Sequence, residues 1–234
     1  LYAGAFFIAI GAGFQCVDAT AASSPPLVSS TRFDPTQFGT GSSNPWFPLV
    51  PGTRHELIER DGSKTSVNVV TVTSETKTIL GVTCVVVHDT ITRDGVLKED
   101  TYDWFATDRQ GNVWYFGEET RQFRASGKAT LAGSWEAGVN GARPGLVMPA
   151  IPTAGETHVQ EVLADGSGGL ARVEALDDAV KVPYGAFSGV LRIREWTNRE
   201  SGFETKWYAK GIGLVREEAS DGEIVELIAV ARDR

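Results

Sequence analysis

The side chains whose types and spacing could do chemistry are a set of carboxylates and a set of aromatic rings. Asp100 and Glu118 bracket the run Tyr102, Trp104, Trp114 and Phe116. If Glu99–Thr107 and Val113–Thr120 form a hairpin turning at Asp108–Gly111, Ala106 faces Trp114, Trp104 faces Phe116 and Tyr102 faces Glu118. Side chains alternate along strands, so the four rings share one face, expected to point into a core or cavity. Asp100 and Glu118 then stand at the end of that face, near a rim. Partial burial beside rings lifts a carboxyl into the acid–base range; the plainer reading is that both acids emerge into water where the sheet ends.

A second pair comes from strand parity. Val85 and Val87 lead to Asp89, and Leu191 and Ile193 lead to Glu195. Two inward-leaning acids at matching strand ends could meet across a mouth, as acid–base partners or as ligands of a hard cation, depending on their separation. Trp135 and Glu136 fall in a glycine-rich stretch and complete the set. As an enzyme, the chain would use Glu118, Asp100, Asp89, Glu195 or Glu136. As a carrier, it would hold its ligand with Tyr102, Trp104, Trp114, Phe116 and Trp135.

Other chemistries are disfavoured by what the sequence lacks. The three histidines, His55, His88 and His158, have no metal-binding spacing, so no metal site is expected. There is no GxSxG elbow and no GxGxxG or phosphate-cradling loop, so no cofactor is expected. A net charge of −8 argues against a nucleic-acid partner, which needs a basic face. Oligomeric state is not legible.

These residues must be positioned by strands. His55–Arg60, Ser66–Thr73, Lys77–Asp89, Leu97–Thr107 and Val113–Glu118 are short, rich in β-branched or aromatic residues, and separated by turn signals such as Asp61-Gly62 and Asp94-Gly95. Beyond them the plan returns. Pro51-Gly52-Thr53 reappears as Ala154-Gly155-Glu156-Thr157, and Leu80–Val87 as Ser188–Ile193. Asp103-Trp104-Phe105-Ala106 reappears as Lys206-Trp207-Tyr208-Ala209, and Gly111–Trp114 as Gly211–Leu214. Such spacing exceeds the ~20–50 residue period of solenoids and predicts two copies of a meander. The expected fold is all-β: an antiparallel β-barrel or paired half-barrels built from two similar meanders, with a β-sandwich as the alternative.

The expected organisation is a signal peptide over 1–22, a disordered linker over 23–44 and a single β domain over 45–234. Its repeats span about 45–124 and 150–234, joined by a lid-like loop over 127–152. Leu1–Phe14 is almost wholly apolar, too short to span a bilayer, and leads to Ala21-Ala22, a leader pattern. No integral membrane span is expected, and localisation reads as secreted or periplasmic, with a lipid anchor through Cys16 as the minor route. Cleavage would leave Cys84 alone within a strand, read as a small core residue.

Pro48-Leu49-Val50-Pro51-Gly52-Thr53, the phrase Thr107–Gly117, and Tyr208-Ala209-Lys210-Gly211-Ile212-Gly213-Leu214-Val215 resemble uncharacterised secreted bacterial β-proteins and lipoproteins. More distantly they resemble the periplasmic lipoprotein-carrier half-barrels, which wrap a curved sheet around an acyl-binding cavity. The resemblance covers roughly Pro45 to Asp233 and transfers no functional residue. It implies a secreted or envelope binding protein holding a small apolar or aromatic molecule in a barrel cavity. A cofactor-free hydrolase or lyase with paired carboxylates at the barrel mouth is the alternative, and whether the chain is an enzyme stays open.

Overall fold

The computed structural model describes residues 32–39, 43–124, 128–199 and 201–232. The leader expected over 1–22 and much of the linker lie outside them. The first half holds β1 (Thr53–Asp61), β2 (Lys64–Ile79), β3 (Val82–Arg93), β4 (Val96–Thr107) and β5 (Val113–Phe123). Then come the short β6 (Ala129–Thr130) and β7 (Trp135–Glu136), and β8 (Arg143–Met148). The second half holds β9 (Thr157–Val159), β10 (Glu161–Val162), β11 (Gly169–Val182), β12 (Gly185–Thr197), β13 (Glu204–Ala209), β14 (Gly213–Ala219) and β15 (Ile224–Arg232).

Thirteen of these strands follow one antiparallel path, β10-β8-β5-β4-β3-β2-β1-β15-β14-β13-β12-β11-β9. Its two ends are separated in sequence by Gln160 alone. A single short stretch therefore draws the sheet into a nearly closed barrel, pairing with β11 through β9 and with β8 through β10. Gly145 and Gly168 lie against this seam, where a Cβ would overlap the backbone of Gln160 and Glu161. The Asp94-Gly95 turn falls where the sequence places its signal, whereas Lys77–Asp89, expected as one strand, is split by a hairpin turn at Leu80-Gly81; both turns have two consecutive positive φ angles, the twist that two-residue turns require.

The stretch expected as a lid over 127–152 is instead partly barrel wall. Leu146, Val147 and Met148 are buried in β8, which pairs with β5 on one side and β10 on the other. Pairing satisfies a backbone that a loop over an apolar run would leave without partners. The linker expectation also needs correction where it is described. Asp34 caps a 3₁₀ turn at Pro35–Gln37 through its side chain, and Phe38 bridges to Asp108.

Two apolar clusters lie on opposite faces of the wall. The bore holds Leu57, Val70, Val87, Phe105, Tyr115, Leu191, Ile193 and Leu227, among others. Outside β2–β5 and β8, a second cluster gathers Ile79, Cys84, Val86, Trp104, Trp114 and Phe116. Cys84 is fully buried there, and burial pushes its thiol up to about 12, as suits an inert packing residue. Among the described residues, no helix is long and apolar enough to cross a membrane.

Candidate functional site

The hairpin β4–β5 decides which residues face the bore. Ala106 pairs with Trp114 and Phe105 with Tyr115, but the register then slips, and Asp103 pairs with Glu118. The slip is a bulge at Gly117, whose φ of 125° favours glycine and whose Cβ would overlap the Trp135 carbonyl oxygen. One extra residue reverses parity. Glu118 therefore turns into the bore beside Asp103, and Tyr102 faces Glu119 instead.

Tyr102, Trp104, Trp114 and Phe116 share a face, and it is the outer one. Phe33 and Phe38 cover it, with ring centroids 5.6–6.2 Å from those of Trp114 and Phe116. Lys77 lies 3.3 Å above the Trp104 ring and pairs with Glu136 at 2.7 Å. The expectation that these rings line a barrel cavity is thus corrected: they face away from the bore, and Phe33 and Phe38 pack on Trp114 and Phe116 beside an outer cavity of about 680 Å³ that Trp114 borders. Trp135 packs against both clusters and meets Tyr115 edge-on at 5.2 Å. Asp100 also faces outward, bonded to His88 at 2.7 Å, with His88 stacked on Tyr102. Neither Asp100 nor Glu136 joins the acids in the bore.

Inside the bore, Tyr115 Oη lies 2.8 Å from Asp103 Oδ1 and 3.0 Å from Glu118 Oε2. A phenol has one proton to donate. With both carboxyls ionised, one of these contacts would set lone pair against lone pair, so one carboxyl keeps its proton. Burial pushes Asp103 up to about 7 and raises Glu118 well above the ordinary carboxyl range, helped by the Asp103 charge. Asp89 is raised by burial and then by Asp103 and Glu99, against a 2.5 Å hydrogen bond from Asn68. Asp89, Glu99, Asp103 and Glu118 border a cavity of about 30 Å³.

The second half builds the matching place differently. Lys206 is fully buried, with its Nζ 2.9 Å from Glu195, 3.3 Å from Glu204 and 3.5 Å from Glu217. Burial alone would lower its ammonium, but the three carboxylates outweigh burial and hold it well above its ordinary value. Gln160 donates to Glu195 at 3.0 Å. Glu195 and Asp89, expected to meet across a mouth, are each held within their own half. The registers correspond: Val87 pairs with Asp103 and Asp89 with Thr101, as Ile193 pairs with Lys206 and Glu195 with Glu204. Asp103 pairs with Glu118, as Lys206 pairs with Glu217, and each hairpin slips just beyond. Lys206 thus stands where the first half has Asp103.

Below the acids lies an apolar cavity of about 60 Å³, bordered by Phe47, Pro48, Leu49, His55, Tyr208 and Ile212. Leu57, Val70 and Leu214 border both cavities. The apolar cavity sits where the wall splays. β15 pairs with β1 from Ile224 to Arg232 but with β14 only across Ile224–Glu226. The segment Pro45–Leu49 lines the opening, anchored by a 2.7 Å bond from the Gly211 amide to the Pro45 carbonyl. Among the described residues, no group of three or more His, Cys, Asp or Glu side chains is arranged to hold a metal ion.

Sequence reasoning missed Asp103, Tyr115, Glu99, Lys206 and Glu217. Alternation from Phe105 reaches Asp103, and Glu204, Lys206 and Tyr208 share a parity. Both signals lie on the strand parity opposite Trp104 and Trp207, which reads locally as the wet one.

No family model matches this sequence, and no curated protein matches it. Two solved structures resemble it. One is a Bacteroides fragilis NCTC 9343 protein inferred to be exported, described as having a YmcC-like fold. It is 16% identical, with 80% of this chain and 99% of that one covered and a TM-score of 0.48. The other is a protein inferred to be a lipoprotein, from Parabacteroides distasonis ATCC 8503. It is 13% identical, with 82% and 100% covered and a TM-score of 0.41. Neither is described as a lipoprotein carrier, and likenesses this distant leave the chemistry to be argued from this chain's own residues.

Proposed function

We propose that this chain is a secreted or periplasmic binding protein that takes a small apolar molecule into the bore, between the splayed strands β14 and β15. The observation that carries the reading is the pair of adjacent cavities that share Leu57, Val70 and Leu214 as walls. A ligand with an apolar body beside Phe47, Leu49 and Ile212 would place its polar end among the acids. This relocates the ligand from the outer aromatic face. The leader-like composition of 1–22 and the descriptions of the two similar structures support export, with or without a lipid anchor.

Titration with 1-hexanol and with indole, read by calorimetry, tests the reading. Saturable one-to-one binding is expected, and Leu214→Trp, which fills the shared wall, should abolish it while circular dichroism stays that of the parent. No saturable binding of either probe refutes the proposal. Acid–base catalysis is the second reading, favoured by the proton shared among Asp103, Tyr115 and Glu118. It requires that Glu118→Gln abolish turnover of a bound compound while leaving its affinity intact.

A further inference from the structure

The two halves of the barrel answer one electrostatic problem in two ways. In the second half, Glu195, Glu204 and Glu217 surround the ammonium of Lys206. In the first half, the corresponding registers carry Asp89, Thr101, Asp103 and Glu118, so an acid occupies the place of the cation. Beside that place is the cavity of about 30 Å³, enough for two water-sized groups.

Glu161 adds an independent observation. It is fully buried on the closing strand, and neither of its carboxyl oxygens meets a donor in good hydrogen-bond geometry. It stands close enough to Tyr115 and Glu118 for its charge to act on both. The Gly169 backbone amide supports that carboxyl, and none of the residues bordering the adjacent cavity is a cation.

We propose that the first-half cavity receives the ammonium group of a primary amine, seated between Asp103 and Glu118 as Lys206 is seated among its three acids. This rests on the binding reading above and names the head group of its ligand; the apolar cavity takes the amine's hydrocarbon part. An ammonium suits the site better than a metal ion, because the acids converge on no metal-holding arrangement among the described residues. Binding exchanges one positive charge for another. As the ammonium enters, the proton held between Asp103 and Glu118 leaves to solvent, and the ionised pair accepts from the N–H groups. The groups facing this exchange are Asp89, Glu99, Tyr115 and Glu161 around the pair, with Glu217 from β14 and Lys206 beyond it. Amine binding should therefore strengthen from pH 6 to pH 8.

The test compares n-hexylamine, 1-hexanol and hexanoate, which share one tail, by calorimetry at pH 8 in two buffers of different ionisation heat. Hexylamine should bind at least tenfold tighter than 1-hexanol and release protons, with hexanoate weakest. Asp103→Lys installs the second half's solution and should abolish the preference for hexylamine over 1-hexanol. If that variant does not fold, Asp103→Asn should lower the amine preference by about tenfold. Equal affinities of the parent protein for amine and alcohol, or a preference that survives both substitutions, overturn the inference while sparing the binding reading. Failure of both amine and alcohol to bind overturns the binding reading and this inference with it.

Discussion

Replacing Lys206 by Met leaves Glu195, Glu204 and Glu217 buried together without their cation. At an effective dielectric near 20, each contact of 2.9–3.5 Å is worth about 5 kcal/mol of gross attraction. Much of that sum offsets the cost of burying the ammonium and the mutual repulsion of the acids. Breaking a buried ion pair from one side typically costs ~3–5 kcal/mol. We expect a loss of about 4 kcal/mol at pH 7.5, relative to the parent at the same pH. The loss should shrink in acid. Glu204 and Glu217 are already raised by burial, and without the lysine they take up protons more readily. One extra proton held by the folded variant is worth ~1.4 kcal/mol per pH unit, so about 3 kcal/mol returns between pH 7.5 and pH 5. Urea denaturation at the two pH values reads this directly. A variant that fails to fold at pH 7.5 should still fold at pH 5. Arg60→Met is the control: its pair with Glu226 at 2.7 Å is solvent-exposed on the arginine side and should be worth less than about 1 kcal/mol. A Lys206→Met loss below about 1 kcal/mol, or one that does not change with pH, would refute the account of the cluster.

The unsubstituted barrel should itself weaken as pH rises. Burial raises Asp103 to about 7 and Glu161 and Glu223 to about 8, above their ordinary 3.8 and 4.5; the stabilisation from their bound protons is full below the ordinary values and lost as pH climbs through 7 to 8. A melting midpoint that rises from pH 5 to pH 9 would contradict this. Gly117→Ala forces a β-carbon against the Trp135 carbonyl at a positive φ, so we expect a loss of about 2 kcal/mol or more in denaturant titration, against less than about 1 kcal/mol for Gly185→Ala, where φ is not positive and nothing lies within contact. Phe38→Ala uncovers Trp114 and Phe116; tryptophan emission should shift to the red with a loss of ~1–2 kcal/mol, and an unshifted spectrum would mean the strap does not cover them.

What the sequence showed and what it hid follow from the same rule of alternation. Alternation correctly groups Tyr102 with Trp104, and Val87 with Asp89, because a strand leaves no other choice. It does not say which group faces inward. In a sheet with one wet face, the aromatic group would be the buried side and the acids the wet one. Here both faces of β4 and β5 are buried, one by the bore and one by Phe33 and Phe38. The aromatic face therefore carried no information about the bore, and the acids were assigned to a rim that Gly117 then moved. The glycine was visible, but its bulge depends on the Trp135 backbone eighteen positions along, which no local pattern encodes. Lys206 was hidden for a related reason. Its three partners come from β12, β13 and β14, and only the pairing of those strands brings Glu195 and Glu217 to one point. An alternating Glu-Thr-Lys-Trp reads locally as a solvated strand with Trp207 inside. In the barrel, Trp207 instead bonds Asp178 on the outer wall at 3.2 Å, and the lysine is the residue fully enclosed. A cation becomes stable there only because several carboxylates arrive from separate strands. The same convergence, with Asp103 in place of a lysine, leaves the first half one positive charge short.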